Sequence, residues 1–561
     1  MTDEDLISQI TRRLGVMIGA RALFDTYWLQ IGQLLLPRQQ IFLRAGIIPE
    51  GEKRTEQIFD STGVLALQRF AAALESMLTP VTQMWHDIVP IDPALADNFA
   101  VKQCCQAVRD VLFACRYSPR ANFAGQTGEG YMSVGAFGTA GIYIDEEAGK
   151  SLRYKSCNLS ELYLQQNHQG KVDTVYRKFM LTARQAKQKL EEGSFDGIAE
   201  NVLQDAANGA NADKETEYLH CTQPNGELDP SRADSKGMQY SSVYIDLQNK
   251  KIVYRGGYRT FPWMIQRHVM APREVYGRSP AMDAMPELRT LKEMRKDYLR
   301  QAQRALDPPL LLADEADIEA FDLRPGAQNY GAIGANGKPR VMGFQSGAEF
   351  PVGDKVIDDS RKIVNSHFYV DLFQILVENP GEMTATEVLE RAQEKGALLA
   401  PTMGRQQEEY GTLIAREIDL LERAGQFAHI DIPPELKARG GLLALKVEYT
   451  SPLNRAMKSG EAAGFLRTME ALAPLANTDP TIFDVFDAEA VARGMADLNN
   501  VPETWLISPE KLAALKAQKA QAANLQTLVQ ATPPLAGAVK DLASAGATAG
   551  NVPAPQPGAG V

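Results

Sequence analysis

Apolar positions at helical spacing organise the first 120 residues. Leu6, Ile10, Leu14, Met17 and Leu23 share one side of a rod over residues 4 to 36 that ends at Pro37. Asp60, Ser61 and Thr62 offer a cap for a second helix over Val64 to Met77. It stops at Thr79-Pro80, because the residue before a proline is steered out of the helical region. A third helix covers roughly Ala94 to Cys115. Glycine then recurs six times from Gly125 to Gly141, and the period changes. Gly141 to Glu146, Leu152 to Lys155, Leu162 to Leu164 and Thr174 to Phe179 read as antiparallel strands. Ser242 to Asp246 and Ile252 to Arg255, with Asn249 between them, read as a hairpin. The block up to about residue 270 is therefore α+β, and the whole chain is α+β with helix in the majority.

Beyond it, helical spacing returns. Ser279-Pro280 supplies an N-cap with proline in the first turn, and Pro308-Pro309 is a hard stop. On a helix over 281–306, Arg289, Lys292, Lys296, Arg300 and Arg304 fall within about a third of the circumference. Leu291, Met294, Tyr298, Ala302 and Ala305 gather opposite. Pro286 suggests that the regular part of this rod begins only there. A turn-rich segment, 310–350, leads to a second helix, Gly353 to Leu376. Val377 to Met383 interrupts it, with a turn at Pro380-Gly381. A long helix over 384–426 follows, broken or kinked near Pro401. Further helices are expected over Glu461 to Pro474, Ala488 to Leu498 and Pro509 to Gln530. Residues 532–561 are dominated by Ala, Gly and Pro and read as disordered.

The charge balance changes what the basic stripe can mean. With 59 Lys+Arg against 70 Asp+Glu, the net charge over 561 residues is −11. A protein that wraps or reads nucleic acid carries a basic excess. A mostly repulsive wall with a few cations instead lets a polyanion slide. The stripe is thus either a solvated face laced with Glu293 and Asp297, a phosphate-facing belt, or a surface paired with a neighbour's carboxylates. Asp354, Asp358 and Asp359 on the next helix are the acids available for that pairing.

Chemistry of other kinds finds little footing. The five cysteines form no C-x-x-C pair and read as buried thiols in a reducing compartment. His220-Cys221 is the closest approach to a metal pair, but adjacent residues point apart, so no metal or cofactor is expected. Gly331 to Lys338 has one residue too many for a phosphate loop, and Pro339 stands where Ser or Thr would hold magnesium. It reads as a hairpin turn at Asn336-Gly337. No G-x-S-x-G elbow, G-x-G-x-x-G fingerprint or H-E-x-x-H pair occurs, so no enzymatic activity is expected. The acidic N-terminus lacks the start of a secretory signal, and no apolar run is long enough to span a bilayer, so a soluble chain made in a cytoplasm is expected.

Several segments together resemble the head-to-tail connector, or portal protein, of short-tailed bacteriophages. They are Tyr27-Trp28 to Pro37; Asp60 to Gly63 with Leu78-Thr79-Pro80 and Trp85; Gly135 to Ile144; Glu274 to Ser279; Gly381 to Val388; and Leu472 to Leu475 with Ile507 to Lys516. The chain departs from the family's turn in having four residues rather than two between Pro80 and Trp85. Residues 185–240 and 532–561 carry no segment on which the resemblance rests. The resemblance implies a dodecameric ring that passes double-stranded DNA, sequence-independently, at one capsid vertex of the virion. It implies a wing (1–278), stem helices (279–306 and 353–376) and a clip between them (307–352). The clip, with Asp314, Glu315, Arg324, Asn336 and Lys338, would dock the terminase large subunit and later tail adaptor or tail tube proteins. Scaffolding and major capsid proteins are further implied partners. A tunnel loop (377–386), with Val377, Glu378, Asn379, Pro380, Gly381, Glu382 and Met383, would narrow the channel. A long helix returning to the wing (387–455) and a helical crown (456–531) complete the plan. A tail adaptor that is not a portal, or a nucleic-acid motor subunit using Lys338, are the alternatives.

Overall fold

The computed structural model describes residues 2–39, 55–96, 98–147, 151–232, 234–307, 309–312, 327–328, 332–333, 337–343, 350–377, 385–449, 464–465, 467–472, 485–498 and 505–531. The chain divides into two compact units. One is made of Met1–Ile88, Val108–Asp431 and Leu445–Gly464, the other of Val89–Ala107, Ile432–Ala444 and Phe465–Val561.

The larger unit opens with helix α1 (Asp3–Leu35), started by a capping box in which Thr2 and Asp5 satisfy each other's free backbone groups. Its buried face runs Ile10, Leu14, Met17, Arg21, Asp25, Trp28 and Ile31. Leu23, expected on that face, is 87% exposed. True helical spacing carries the buried line through Arg21 and Asp25 instead. These two form a 2.9 Å ion pair, and Arg21 donates to the carbonyls of Leu159, Ser160 and Leu162. Helix α2 (Thr62–Leu78) follows, with Asp60 Oδ1 accepting from the Thr62 amide at 2.9 Å. Strand β1 (His86–Pro90) and helix α3 (Phe99–Arg116) lead to α4 (Phe123–Phe137).

Helix α4 is the glycine-rich run to which pattern alone assigns no element. Its glycines are needed for contact rather than flexibility. A Cβ on Gly135 would lie 2.6 Å from Leu67 and 2.8 Å from Phe70, so only glycine lets α4 lie on α2.

Two antiparallel sheets follow. Strands β2 (Thr139–Glu147), β3 (Ser151–Cys157) and β9 (Trp263–Arg267) form one, in the order β3-β2-β9. Strands β4 (Leu162–Gln166), β5 (Val172–Thr182), β6 (Glu215–Pro224), β7 (Tyr240–Asp246) and β8 (Lys251–Tyr258) form the other, in sequence order. Helix α1 covers one face, where Ile10, Leu14 and Met17 meet Tyr163, Tyr176, Leu219 and Val243. Helices α5 (Ala183–Glu191) and α6 (Glu200–Ala207) cover the other through Ala186, Phe195, Val202 and Tyr218. The 185–240 stretch thus supplies the central strand, β6.

Helix α7 (Pro280–Leu306) then pairs with α8 (Phe350–His367). The expected single helix 353–376 is two. It breaks at Tyr369, whose φ of 56° is left-handed, and resumes as α9 (Val370–Val377). Buried Phe368, Val370 and Phe373 flank the break. Helix α10 (Ala385–Arg423) contains Pro401 within its span. In the smaller unit, helices Ala488–Leu498 and Pro509–Ala531 stand where periodicity puts them. Within that unit Arg493 donates to the Ile507 carbonyl at 3.0 Å, and Lys516 pairs with Glu489 at 2.7 Å.

Candidate functional site

The basic-striped helix is rooted by an arrangement that accounts for the Gly277-Arg278-Ser279 segment. Ser279 Oγ accepts from the Met282 amide at 3.0 Å as N-cap and donates to the Ala136 carbonyl at 2.8 Å, fully buried. Gly277 and Gly138 cross so closely that a Cβ on either would overlap the other's carbonyl oxygen. Gly138 also has φ 77° as the C-cap of α4, and the Gly277 amide donates to Thr139 Oγ1 at 2.9 Å.

Pro286 does not delay the helix, which is regular from Pro280. A proline has no amide to offer the carbonyl four residues back. That carbonyl belongs to Met282, and Tyr27 Oη of α1 donates to it at 2.9 Å. The missing helical bond is replaced from a neighbouring element, a substitution that no sequence period could reveal.

Burial along α7 is uneven. Pro280, Ala281, Met282, Ala284, Met285, Leu288 and Leu291 are buried. Met294, Tyr298 and Ala302 are half-buried, and Ala305 is exposed. Leu299 is 40% and Leu306 87% exposed, so the second half of the helix leaves the body of the subunit. Tyr298 Oη reaches Asp354 at 3.3 Å on α8. Nearer the root, Arg361 of α8 pairs with Asp60 at 2.7 Å. Burial alone would push the Asp60 carboxyl up, but hydrogen bonds from Thr62 and Arg361 outweigh it and hold it below the usual carboxylate range.

The five stripe cations divide into three kinds. Arg289 donates to Gln30 Oε1, and Lys292 to Gln57 Oε1 at 2.7 Å. Neutral amides orient these cations without cancelling their charge. Lys296 instead lies 3.5 Å from Glu293, and Arg300 3.4 Å from Asp297, each an exposed pair within its own helix. Arg304 is exposed in the last turn, where a cation complements the helix dipole. On α8, Asp358 pairs with Arg361 and Asp359 with Lys362, so the acids considered as stripe partners have partners of their own. Gln30 and Tyr27 on α1, and Gln57 in the turn before α2, were invisible to pattern because single polar residues carry no signal until the fold brings them together.

Other sequence-derived residues are only partly placed. Val377 ends α9, and Glu378, Asn379, Pro380, Gly381, Glu382 and Met383 lie outside the described residues. So do Asp314, Glu315, Arg324 and Asn336. Lys338 follows Gly337, whose φ is 73°, in a turn closed by the Ile333–Pro339 bridge. Strands β10 (Leu310–Leu312) and β11 (Val341–Gly343) pair around it. His220 and Cys221 point to opposite faces of β6. The imidazole stacks on Tyr244 at 4.0 Å, and the thiol joins the α1 core. No cluster of three or more His, Cys, Asp or Glu side chains suited to a metal occurs among the described residues.

Comparison with known proteins identifies the family. The chain is 28% identical over 517 residues to the probable portal protein of Bordetella phage BPP-1, covering 91% of this chain and 90% of that protein. It is 26% identical over 534 residues to the portal protein of Salmonella phage epsilon15, covering 93% of each. The sequence profile of the family described as bacteriophage head to tail connecting protein matches residues 8–507. With nearly its whole length matched, the chain belongs to the family of bacteriophage head-to-tail connecting, or portal, proteins.

Proposed function

We propose that twelve copies of this chain close into a ring at one capsid vertex of the virion, and that its channel carries double-stranded DNA inward during packaging and outward during ejection. The role is structural and sequence-independent. The ring docks the terminase large subunit and later tail adaptor or tail tube proteins, and meets scaffolding and major capsid proteins during assembly in the host cytoplasm. In this reading 279–306 and 353–376 are the stem, 307–352 the clip and 377–386 the tunnel loop, where Glu378 and Glu382 ring the duplex with negative charge. Residues 1–278 form the wing, 387–455 the long helix and its return, and 456–531 the crown.

The observation that supports this most directly is the projecting second half of α7, which carries cations beyond the body of a subunit of net charge −11. A largely acidic channel with spaced basic belts repels the duplex overall yet touches its phosphates at intervals. Replacing Lys292 and Lys296 with alanine in the assembled particle tests it. Rings should form normally, by mass and negative-stain imaging, while packaging or retention of DNA falls. Rings that fall apart would instead assign the stripe to contacts between subunits.

A further inference from the structure

The long helix α10 carries a buried charge that the DNA-channel reading does not use. Between Gln406 and Leu421 it buries the polar Gln406, Arg416, Glu417 and Asp419 beside Tyr410, Leu413, Ile414, Ile418, Leu420 and Leu421. These last six make a repeating stripe of large apolar and aromatic groups. Such a stripe packs almost as well after a shift of one turn, because each residue then takes the place of a similar one three or four positions away.

Glu417 breaks that equivalence. One of its oxygens accepts from Arg116 Nε at 3.0 Å and from Tyr154 Oη, and the other pairs with Arg116 Nη2. The remaining arm of the guanidinium, Nη1, lies 2.7 Å from His86 Nε2, which must be the acceptor because arginine only donates. Rings of Trp85, Phe113 and Phe123 stand 4.7, 4.9 and 5.6 Å from the guanidinium carbon. Both side chains of the pair are wholly buried. Other polar contacts also hold this helix, since Gln406 donates to the Arg267 carbonyl at 2.9 Å and Tyr410 Oη lies 2.6 Å from Tyr131 Oη, but its other ion pairs are less completely buried. Arg267 reaches Glu409 at 3.5 Å, and Arg416 meets Asp419 at 3.1 Å within the helix itself.

We propose that Arg116 and Glu417 are positioning residues that fix the register of α10 against helix α3 and strand β3, admitting one axial position of the helix and excluding those one turn away. A buried ion pair adds little net stability, because desolvation offsets most of the attraction. Its power is discriminatory. A one-turn shift leaves Arg116 facing leucine or isoleucine and puts a bare carboxylate among apolar groups, both heavily penalised. Under the functional reading above, α10 follows directly on the tunnel loop, so its register sets how far that loop extends along the channel. That consequence rests on the functional reading; the register itself does not.

The test uses the full chain with spin labels at Lys171→Cys, in the turn between β4 and β5, and at Glu422→Cys, near the end of α10, both exposed, in samples diluted with unlabelled chains. The wild type should give one narrow distance. The double variant Arg116→Met/Glu417→Leu removes both charges and should fold with an unfolding midpoint at or above that of wild type. It should show a second population displaced by about 5 Å, one helical turn. Glu417→Gln, which keeps shape and loses charge, is the second variant and should show the same displaced population at lower weight. A single wild-type distance in every variant that folds overturns the proposal. Failure of both variants to fold overturns it too, because the pair would then be a simple stabilising contact. Since no DNA is involved, loss of the channel function would leave this measurement standing.

Discussion

At the scale of single residues, the root of α7 and the buried histidines make the sharpest predictions. Ser279→Ala removes an N-cap and leaves the buried Ala136 carbonyl without its donor. The expected cost is about 2 kcal/mol or more, read as a lower urea midpoint at unchanged slope. Burial holds His86, His220 and His268 below the usual imidazole range, His268 down to about 4, with neighbouring Arg116 and Arg109 adding to the effect at His86. The unfolded chain therefore binds more protons than the native one below the ordinary histidine value. Stability is complete above about pH 6.5 and falls as pH drops, by up to about 1.4 kcal/mol per pH unit for each histidine. Asp25, Asp87 and Glu409, raised by burial, oppose this only nearer the carboxylate range. Guanidinium midpoints should be flat from pH 8 to 7 and drop between 6.5 and 5; a constant midpoint across that drop would contradict the assignment.

At the scale of elements, the break between α8 and α9 is the main departure from pattern. A left-handed tyrosine is costly, and Tyr369 is held there because Phe368, Val370 and Phe373 are all buried and bracket it. Comparing two substitutions isolates the backbone. Tyr369→Gly should be more stable than Tyr369→Ala by about 1 kcal/mol, whereas in an ordinary helix alanine would win by a similar margin. Thermal unfolding of the two variants decides it. Elements with one wet face were legible in the sequence: α1, α2, α7, the β7–β8 hairpin and the terminal helices all follow their periods. Those buried on several sides were not. Strand β6 shows little alternation because Tyr218 to Thr222 are buried on both faces, with His220 bonded to Ser242. Helix α4 hides behind glycines whose purpose is close approach. Of the candidate site, the cations and their helix were readable; the glutamines, the tyrosine and the glycine crossing that orient them depend on contacts 100 to 260 residues away, such as Tyr27 to Met282 at a separation of 255.

At the scale of the whole molecule, a subunit with Leu299, Leu306, Val356 and Ile363 exposed on a projecting helix pair has apolar surface to bury. Under the ring reading, replacing Leu299 and Ile363 together with glutamate should leave the subunit folded, by circular dichroism, and shift the assembled mass toward monomer. An unchanged ring mass would place the subunit contacts elsewhere. The glycine crossing at the root of that pair adds a consequence of timing. Gly277 and Thr139 meet across 138 residues of intervening chain, whereas the β7–β8 hairpin closes locally. Long closures are entropically dearer and form late, after the local contacts that shorten them. The helix pair is thus aimed outward only once the sheets between its two anchors exist, and under the ring reading a half-made subunit has no fixed surface with which to join a ring. Pulse-labelled hydrogen exchange during refolding should accordingly protect the amides of β7 and β8 before those of α7. Under that reading assembly waits on completion, because the last contact to close is the one that points the interface.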